Sequence, residues 1–300
     1  MSELANLTAA GMVERVTELR ALRPYAVAEA LSGRRRRALV GESGTLFLLA
    51  ADHTARGVVG AGGDARAMGD RGELLRRLVL GLGRPGVDGL LGSPDIIEDL
   101  ALLGALDEKV VIGSMNRGGL AGSVFELDDR FTSYDAESIS RSNLDGGKML
   151  LRIADDDPGT LPTLVACAEA IGELAQRRLV AMIEPFAARQ GSGKLEIVLE
   201  PDPTIRAIGI AQSLGCSSAY TWLKLPVVPE MERVMASTTF PTLLLGGDPG
   251  RDAARTFEGW RSAMRLPQVR GLVAGRSLLY PEDGDVAGAV DAAAGIVGSG

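Results

Sequence analysis

The sequence predicts an α/β protein: a (β/α)8 TIM barrel with an N-terminal helical extension. Three observations lead there. From Thr45 onward the chain of 300 residues carries eight short apolar runs of strand length. Most of the gaps between them show helical periodicity. The repeating part spans about 250 residues, the usual size of such a barrel. Strands that alternate with helices run parallel, because parallel neighbours need a crossover connection. An open doubly wound sheet is the alternative.

The elements follow in order. Met12, Val13, Val16, Leu19 and Leu22 recur at helical spacing, Pro24 interrupts, and Ala26 to Leu31 restarts a short helix. Arg34-Arg35-Arg36-Arg37 reads as a solvated turn, with a phosphate or acidic partner as the alternative. The strands are Thr45–Ala51, Val87–Leu91, Val110–Gly113, Met149–Ile153, Leu179–Ile183, Ala219–Leu225, Thr242–Leu245 and Gly271–Ala274. Helical stretches lie at Glu73–Leu80, Ile96–Leu100, Leu161–Gln176 and Asp252–Met264. No Ser/Pro/Gly-rich linker divides the chain, since Gly191-Ser192-Gly193 falls inside the repeat. One domain is expected: residues 1–44 as the extension, 45–280 as the barrel and 281–300 as a C-terminal helix.

Composition narrows the chemistry. One histidine excludes a zinc site built from several imidazoles in one chain, and two cysteines exclude a disulfide framework. With 32 basic and 39 acidic residues the net charge is −7, and aromatics are only 4%. Neither figure suits a nucleic-acid partner. No stretch approaches the ~18 apolar residues of a membrane span, and Met1 to Arg20 lacks the apolar core of a secretory signal. A cytoplasmic protein without metal or other cofactor is expected. Several motifs fail on inspection. Gly81-Leu82-Gly83-Arg84-Pro85-Gly86 satisfies G-x-G-x-x-G but follows a helix and precedes a strand, the reverse of a dinucleotide site. Gly191-Ser192-Gly193-Lys194 has Leu195 where a P-loop needs Ser or Thr. Cys167 and Cys216 read as packed small residues rather than nucleophiles.

The sixth strand is the informative one. In Tyr220-Thr221-Trp222-Leu223-Lys224-Leu225-Pro226, alternation puts Thr221, Leu223 and Leu225 on the face under the helices. Tyr220, Trp222 and Lys224 then point into the barrel, with Lys224 near the C-terminal mouth where barrel enzymes place their chemistry. A lysine against apolar walls loses hydration, its ammonium is disfavoured, and its pKa falls. The neutral amine can attack a carbonyl and form a Schiff base, whose iminium withdraws electrons from the neighbouring carbon. The plain alternative is an inward lysine paired with a carboxylate. Other candidates come from the strand ends. Glycines after strands seven and eight let backbone N–H groups approach a phosphate. His53 is a candidate proton donor, since an imidazole titrates near neutrality; the alternative is a structural histidine that alternation turns away from the axis. Asn116 and Arg117, just past strand three, are placed to contact the distal end of a substrate. The run Arg117-Gly118-Gly119-Leu120-Ala121-Gly122 reads as a lid or a plain loop.

These features resemble the class I, Schiff-base aldolases over roughly residues 45 to 280, nearest to the tagatose-1,6-bisphosphate aldolase and deoxyribose-phosphate aldolase-like branch. The marks are Leu49-Ala50-Ala51-Asp52-His53, Lys148-Met149-Leu150-Leu151-Arg152, Glu184-Pro185-Phe186, Leu223-Lys224-Leu225-Pro226, Leu245-Gly246-Gly247 and Val273-Ala274-Gly275-Arg276. The resemblance implies roles. Lys224 would be the Schiff-base lysine and Glu184 the acid/base group. Lys148, on the neighbouring strand, would lower the pKa of Lys224. Asp52 would bond substrate hydroxyls or relay a proton. Gly246, Gly247, Gly275 and Arg276 would hold a phosphate, and His53, Asn116 and Arg152 would belong to the substrate side. The implied activity is metal-independent cleavage or formation of a carbon–carbon bond in a phosphorylated sugar or sugar acid, within carbohydrate or inositol catabolism, by a homo-oligomer. A transaldolase- or thiolase-like transferase, or a non-catalytic sugar-phosphate-binding barrel, are the other readings. The chain departs from the branch at Asp52-His53-Thr54 and in a long loop carrying Arg56, Arg66 and Arg71, which suit a carboxylate or second phosphate. The second lysine of deoxyribose-phosphate aldolase has no counterpart on strand seven.

Overall fold

The computed structural model describes Leu4 and residues 7–191, 195–247 and 253–299. Helix α1 (Ala9–Leu22) opens on Thr8, whose hydroxyl accepts from the Gly11 N–H, and α2 (Ala26–Ser32) follows. The sheet strands are β1 (Leu46–Ala51), β2 (Gly89–Gly92), β3 (Val110–Ser114), β4 (Gly146–Ile153), β5 (Val180–Gln190), β6 (Leu195–Ile197), β7 (Thr221–Leu225), β8 (Thr242–Leu245) and β9 (Val269–Ala274). Around the ring the order is β4-β3-β2-β1-β9-β8-β7-β5, and the pairing of β4 with β5 closes it. Every contact in the ring is parallel. The closed barrel of eight strands excludes the open sheet.

The crossovers are α3 (Arg71–Leu82), α4 (Pro94–Leu102), α5 (Ala136–Arg141), α6 (Thr160–Gln176), α7 (Pro201–Ala211), α8 (Met231–Met235) and α9 (Ala253–Ala263). Then α10 (Arg276–Leu279) and α11 (Val286–Gly298) close the chain. α5, α8 and α10 span too few turns to leave a 3.6-residue pattern, so periodicity does not reveal them. The fifth barrel strand also runs past Ile183 to Gln190, where β6 pairs back on it antiparallel. Residues 192–194 of the glycine-rich stretch and 248–252 lie outside the described residues. Gly81–Gly86 is the end of α3 and a turn, with Gly83 as the cap. Cys167 is buried, but Cys216 is exposed, so only the first is a packed residue. Among the described residues no helix is long and apolar enough to cross a membrane.

Alternation along each strand builds two apolar layers. Leu46, Leu48, Ala50, Leu91, Ile112, Met182, Leu243 and Val273 fill the barrel interior, and Trp222 packs on them. Phe47, Leu49, Ala51, Ile183, Leu223 and Leu225 face the helices. Burial on both faces explains why the strands read as continuous apolar runs.

The arginine run corrects its reading as a solvated turn. The Arg34 side chain is 2% exposed and meets Asp145 at 3.0 Å, while Arg36 reaches the other oxygen of Asp145 at 2.7 Å. Arg35 pairs with Asp107 and Arg37 with Asp88, each at 2.6 Å. Asp88 also accepts the Phe47 N–H and Asp145 the Val111 N–H, both at 2.8 Å. The run therefore ties together the N-terminal ends of β1 to β4, and Leu39 and Val40 pack on the interior layer beneath them. Its partners are single acids far along the chain, which a local reading of charge does not reveal. Removing one member of a buried, hydrogen-bonded pair strands the other. Arg34→Met is thus expected to cost about 3 kcal/mol in urea unfolding; a loss under about 1 kcal/mol would return the run to the surface class.

Candidate active site

At the C-terminal mouth the inward positions change from apolar to charged. Glu184 lies two residues beyond Met182 on β5, and Lys148 and Lys224 sit on β4 and β7, the strands that flank β5. The acid therefore stands between the two lysines, which are one strand further apart than the sequence reading placed them. Lys224 Nζ is 2.8 Å from Glu184 Oε1, and Lys148 Nζ engages Oε2. Lys148 also lies 3.5 Å from Asp52 Oδ2. Asp52 accepts from the Ser114 hydroxyl at 3.0 Å and pairs with Arg117, whose Nε donates to Ser114 at 2.7 Å. All of these side chains are buried.

Three cations, Lys224, Lys148 and Arg117, thus share two carboxylates, Glu184 and Asp52. Burial, together with the excess positive charge, opposes a full set of ammonium ions. Burial pushes the Lys224 pKa below the ordinary lysine range, with Arg117 and Arg276 adding to the effect and Glu184 opposing it. Lys148 is pushed well down by burial and by Arg117, again against Glu184. Burial alone would raise Glu184, but the two lysines outweigh it and hold the carboxyl below its usual range. The ammonium form of both lysines is thereby disfavoured. Lys148→Met leaves Glu184 to Lys224 alone, which favours the ammonium. The pH midpoint for amine reactivity is expected to move up by about 1–2 units, read as the rate of borohydride-trapped adduct against pH; an unmoved midpoint would sink the shared-carboxylate account.

The lysines line a cavity of about 240 Å³. Its wall includes Asp52, His53, Lys148, Glu184, Lys224, Gly246, Gly247, Gly275 and Arg276, which the sequence singles out. At the β8 and β9 ends, Gly247 has φ 65°, a backbone that favours glycine. A Cβ at Gly275 would stand 2.1 Å from the Ala50 carbonyl oxygen, so only glycine fits against β1. Gly275 then hands the chain to Arg276 at the start of α10. His53 turns into the cavity rather than away from it, because the chain leaves β1 as a 3-10 turn over Thr54–Arg56 and strand alternation no longer applies.

Two predicted residues do not reach the cavity. Both ends of the Asn116 amide bond Leu150: Nδ2 donates to its carbonyl at 2.6 Å and Oδ1 accepts its N–H at 2.7 Å. It fastens the end of β3 to β4. Arg152 is held by both oxygens of Asp129 at 2.8 and 2.7 Å and anchors the loop before α5. Of the loop arginines, Arg66 is exposed and Arg71 pairs with Asp95 and Asp99 on α4. Arg56 does line the cavity, while its Nε donates to the Gly119 carbonyl at 2.7 Å. That bond ties the glycine-rich run down. Ile197, from the β5–β6 hairpin, completes the wall; it escaped the sequence reading because the hairpin did.

The chain is similar to known proteins over most of its length. The family model described as Cgl0159-like matches residues 44–294. The crystal structure of Cgl0159 from Corynebacterium glutamicum is 54% identical, with 96% of this chain and 97% of that one covered and a TM-score of 0.93. An archaeal fructose-1,6-bisphosphate aldolase, solved with its catalytic lysine covalently bound to the carbinolamine intermediate, is 16% identical, covering 91% of this chain and 99% of that one, TM-score 0.65. The fructose-bisphosphate aldolase of Slackia heliotrinireducens is 15% identical, covering 92% and 86%, TM-score 0.64. At those identities the aldolases share the fold. No curated protein matches the sequence.

Proposed function

We propose that this chain, which belongs to the Cgl0159-like family, is a class I aldolase that cleaves or forms a carbon–carbon bond in a phosphorylated sugar or sugar acid through a Schiff base on Lys224. The observation that carries the reading is the buried Lys224–Glu184–Lys148 row at the barrel mouth. A module that only binds a phosphate has no use for two lysines held below their ordinary pKa around one acid.

The chemistry follows from the contacts. The neutral Lys224 amine adds to the substrate ketone carbon to form a carbinolamine. Glu184, 2.8 Å from Nζ, carries one proton from the nitrogen to the carbinolamine oxygen, and a second proton, taken up from solvent through the same carboxyl, lets the hydroxyl leave as water and the iminium form. The iminium then draws the electron pair of the adjacent carbon–carbon bond as it breaks. The hydroxyl on the leaving carbon loses its proton to a cavity carboxylate, Asp52 or Glu184, and that fragment departs as an aldehyde. The enamine is reprotonated, and water hydrolyses the iminium to restore Lys224. Gly246, Gly247, Gly275 and Arg276 anchor the phosphate across from this chemistry.

The test is reductive trapping. Incubation with dihydroxyacetone phosphate and borohydride is expected to leave one covalent adduct, mapped by mass spectrometry to Lys224. Absence of an adduct with this ketone, with pyruvate and with short aldehydes would remove the aldolase reading. Prior treatment with EDTA is expected to leave trapping unchanged, because both cavity carboxylates are already taken up by lysine and arginine.

A further inference from the structure

We propose that His53 is the proton acceptor for anion binding: a phosphate entering the cradle of Gly246, Gly247, Gly275 and Arg276 brings one solvent proton onto the imidazole, and the imidazolium then hydrogen-bonds the phosphate. The inference rests on the reading of that cradle as a phosphate site, but not on the Schiff base.

The ring is placed for it. His53 lines the same cavity, and its Cε1 lies 3.1 Å from where a Cβ at Gly275 would stand, so the ring packs directly on the cradle. Its Nδ1 is buried and has no hydrogen-bond partner among the described residues. A buried ring nitrogen left without a partner is costly, and such atoms cluster where a ligand completes them. The mechanism proposed for Lys224 does not use it.

The groups facing the ring fix its charge when no anion is present. Arg276 on α10, Lys224 on β7 and Lys148 on β4 are set against the carboxylate of Glu184 on β5. Burial comes first, and the cations add to it. Together they push the imidazole down to about 3, so it is neutral across the working range. A bound dianion cancels that excess of positive charge. At contact distances, with an effective dielectric of about 20, the change moves a titration midpoint by about 2 pH units or more.

With one histidine in the chain, the imidazole gives a single spin system. The untagged protein, labelled with 15N-histidine, is titrated by NMR from pH 8 downward, alone and with saturating inorganic phosphate or sulfate. Sulfate takes up no proton near neutrality, so a proton gained with it goes to the protein. The expected result is a midpoint raised by about 2 units or more with either anion. Sulfate affinity should also strengthen as pH falls from 6 to 4 in the wild type, across the raised midpoint, and by much less in His53→Gln. Anion binding at the Gly246, Gly247 and Gly275 amides with an unmoved imidazole midpoint would overturn the proposal alone. No anion binding at those amides would overturn it together with the cradle. Neither outcome bears on trapping at Lys224, which tests the aldolase reading separately.

Discussion

Lys224→Ala is expected to lower turnover by on the order of 10⁴-fold or more, the scale of losing a covalent nucleophile. It is also expected to abolish the borohydride adduct. Lys224→Arg should be nearly as inactive, because a guanidinium stays protonated and cannot add to a carbonyl. Stability is expected to move the other way. Lys224 is a buried cation sharing its counter-charge with Lys148, so its removal relieves an electrostatic cost and leaves a complete Lys148–Glu184 pair. The alanine variant should therefore unfold at an equal or higher urea concentration than the wild type. A variant that is inactive because it is misfolded would show the opposite. Persistent trapping in Lys224→Ala, with the adduct on Lys148, would reassign the nucleophile.

Glu184→Gln keeps the shape of the site and removes its negative charge. Proton transfer into and out of the carbinolamine loses its carrier, and kcat is expected to fall about 10²- to 10⁴-fold. The variant also has a pH signature. Without the carboxylate, both lysines titrate still further below their unfolded value of about 10.5. Between the folded and unfolded pKa values the unfolded chain binds more protons, so folding stability rises with pH across that window. The cost of Glu184→Gln should accordingly be larger at pH 6 than at pH 9, by about 1–3 kcal/mol in urea unfolding. A cost independent of pH would mean that the lysines do not depend on this acid for their charge.

The barrel was legible because strands buried on both faces must be apolar throughout, and Thr45–Ala51 or Thr242–Leu245 can hardly be read otherwise. Lys224 was legible for a related reason: a single charge at an inward position near the end of such a run stands out. Glu184 and Lys148 came with the family resemblance, and their shared hydrogen bonding follows from the ring order β4-β5-β7. What the residues did not reveal depends on distant partners. Asn116 looks like a mouth residue until both ends of its amide are found on Leu150. Arg152 points inward by alternation but is captured by Asp129, which no local pattern connects to it. His53 was assigned to the substrate side, and only the alternative that turned it away fails, because a 3-10 turn begins at the residue after it and strand alternation stops there.

The base of the barrel has a consequence for synthesis. The acids that hold Arg34, Arg35, Arg36 and Arg37 all lie between Asp88 and Asp145, within the first half of the chain. A nascent chain that has emerged through β4 thus already carries the stitches that hold its first four strands at one end. The exposed edges of β1 and β4 are the same two edges that β9 and β5 later occupy. The ties at the floor of the barrel are thus complete within the first four strands, whereas the Lys224–Glu184–Lys148 row across the mouth needs β5 and β7 as well.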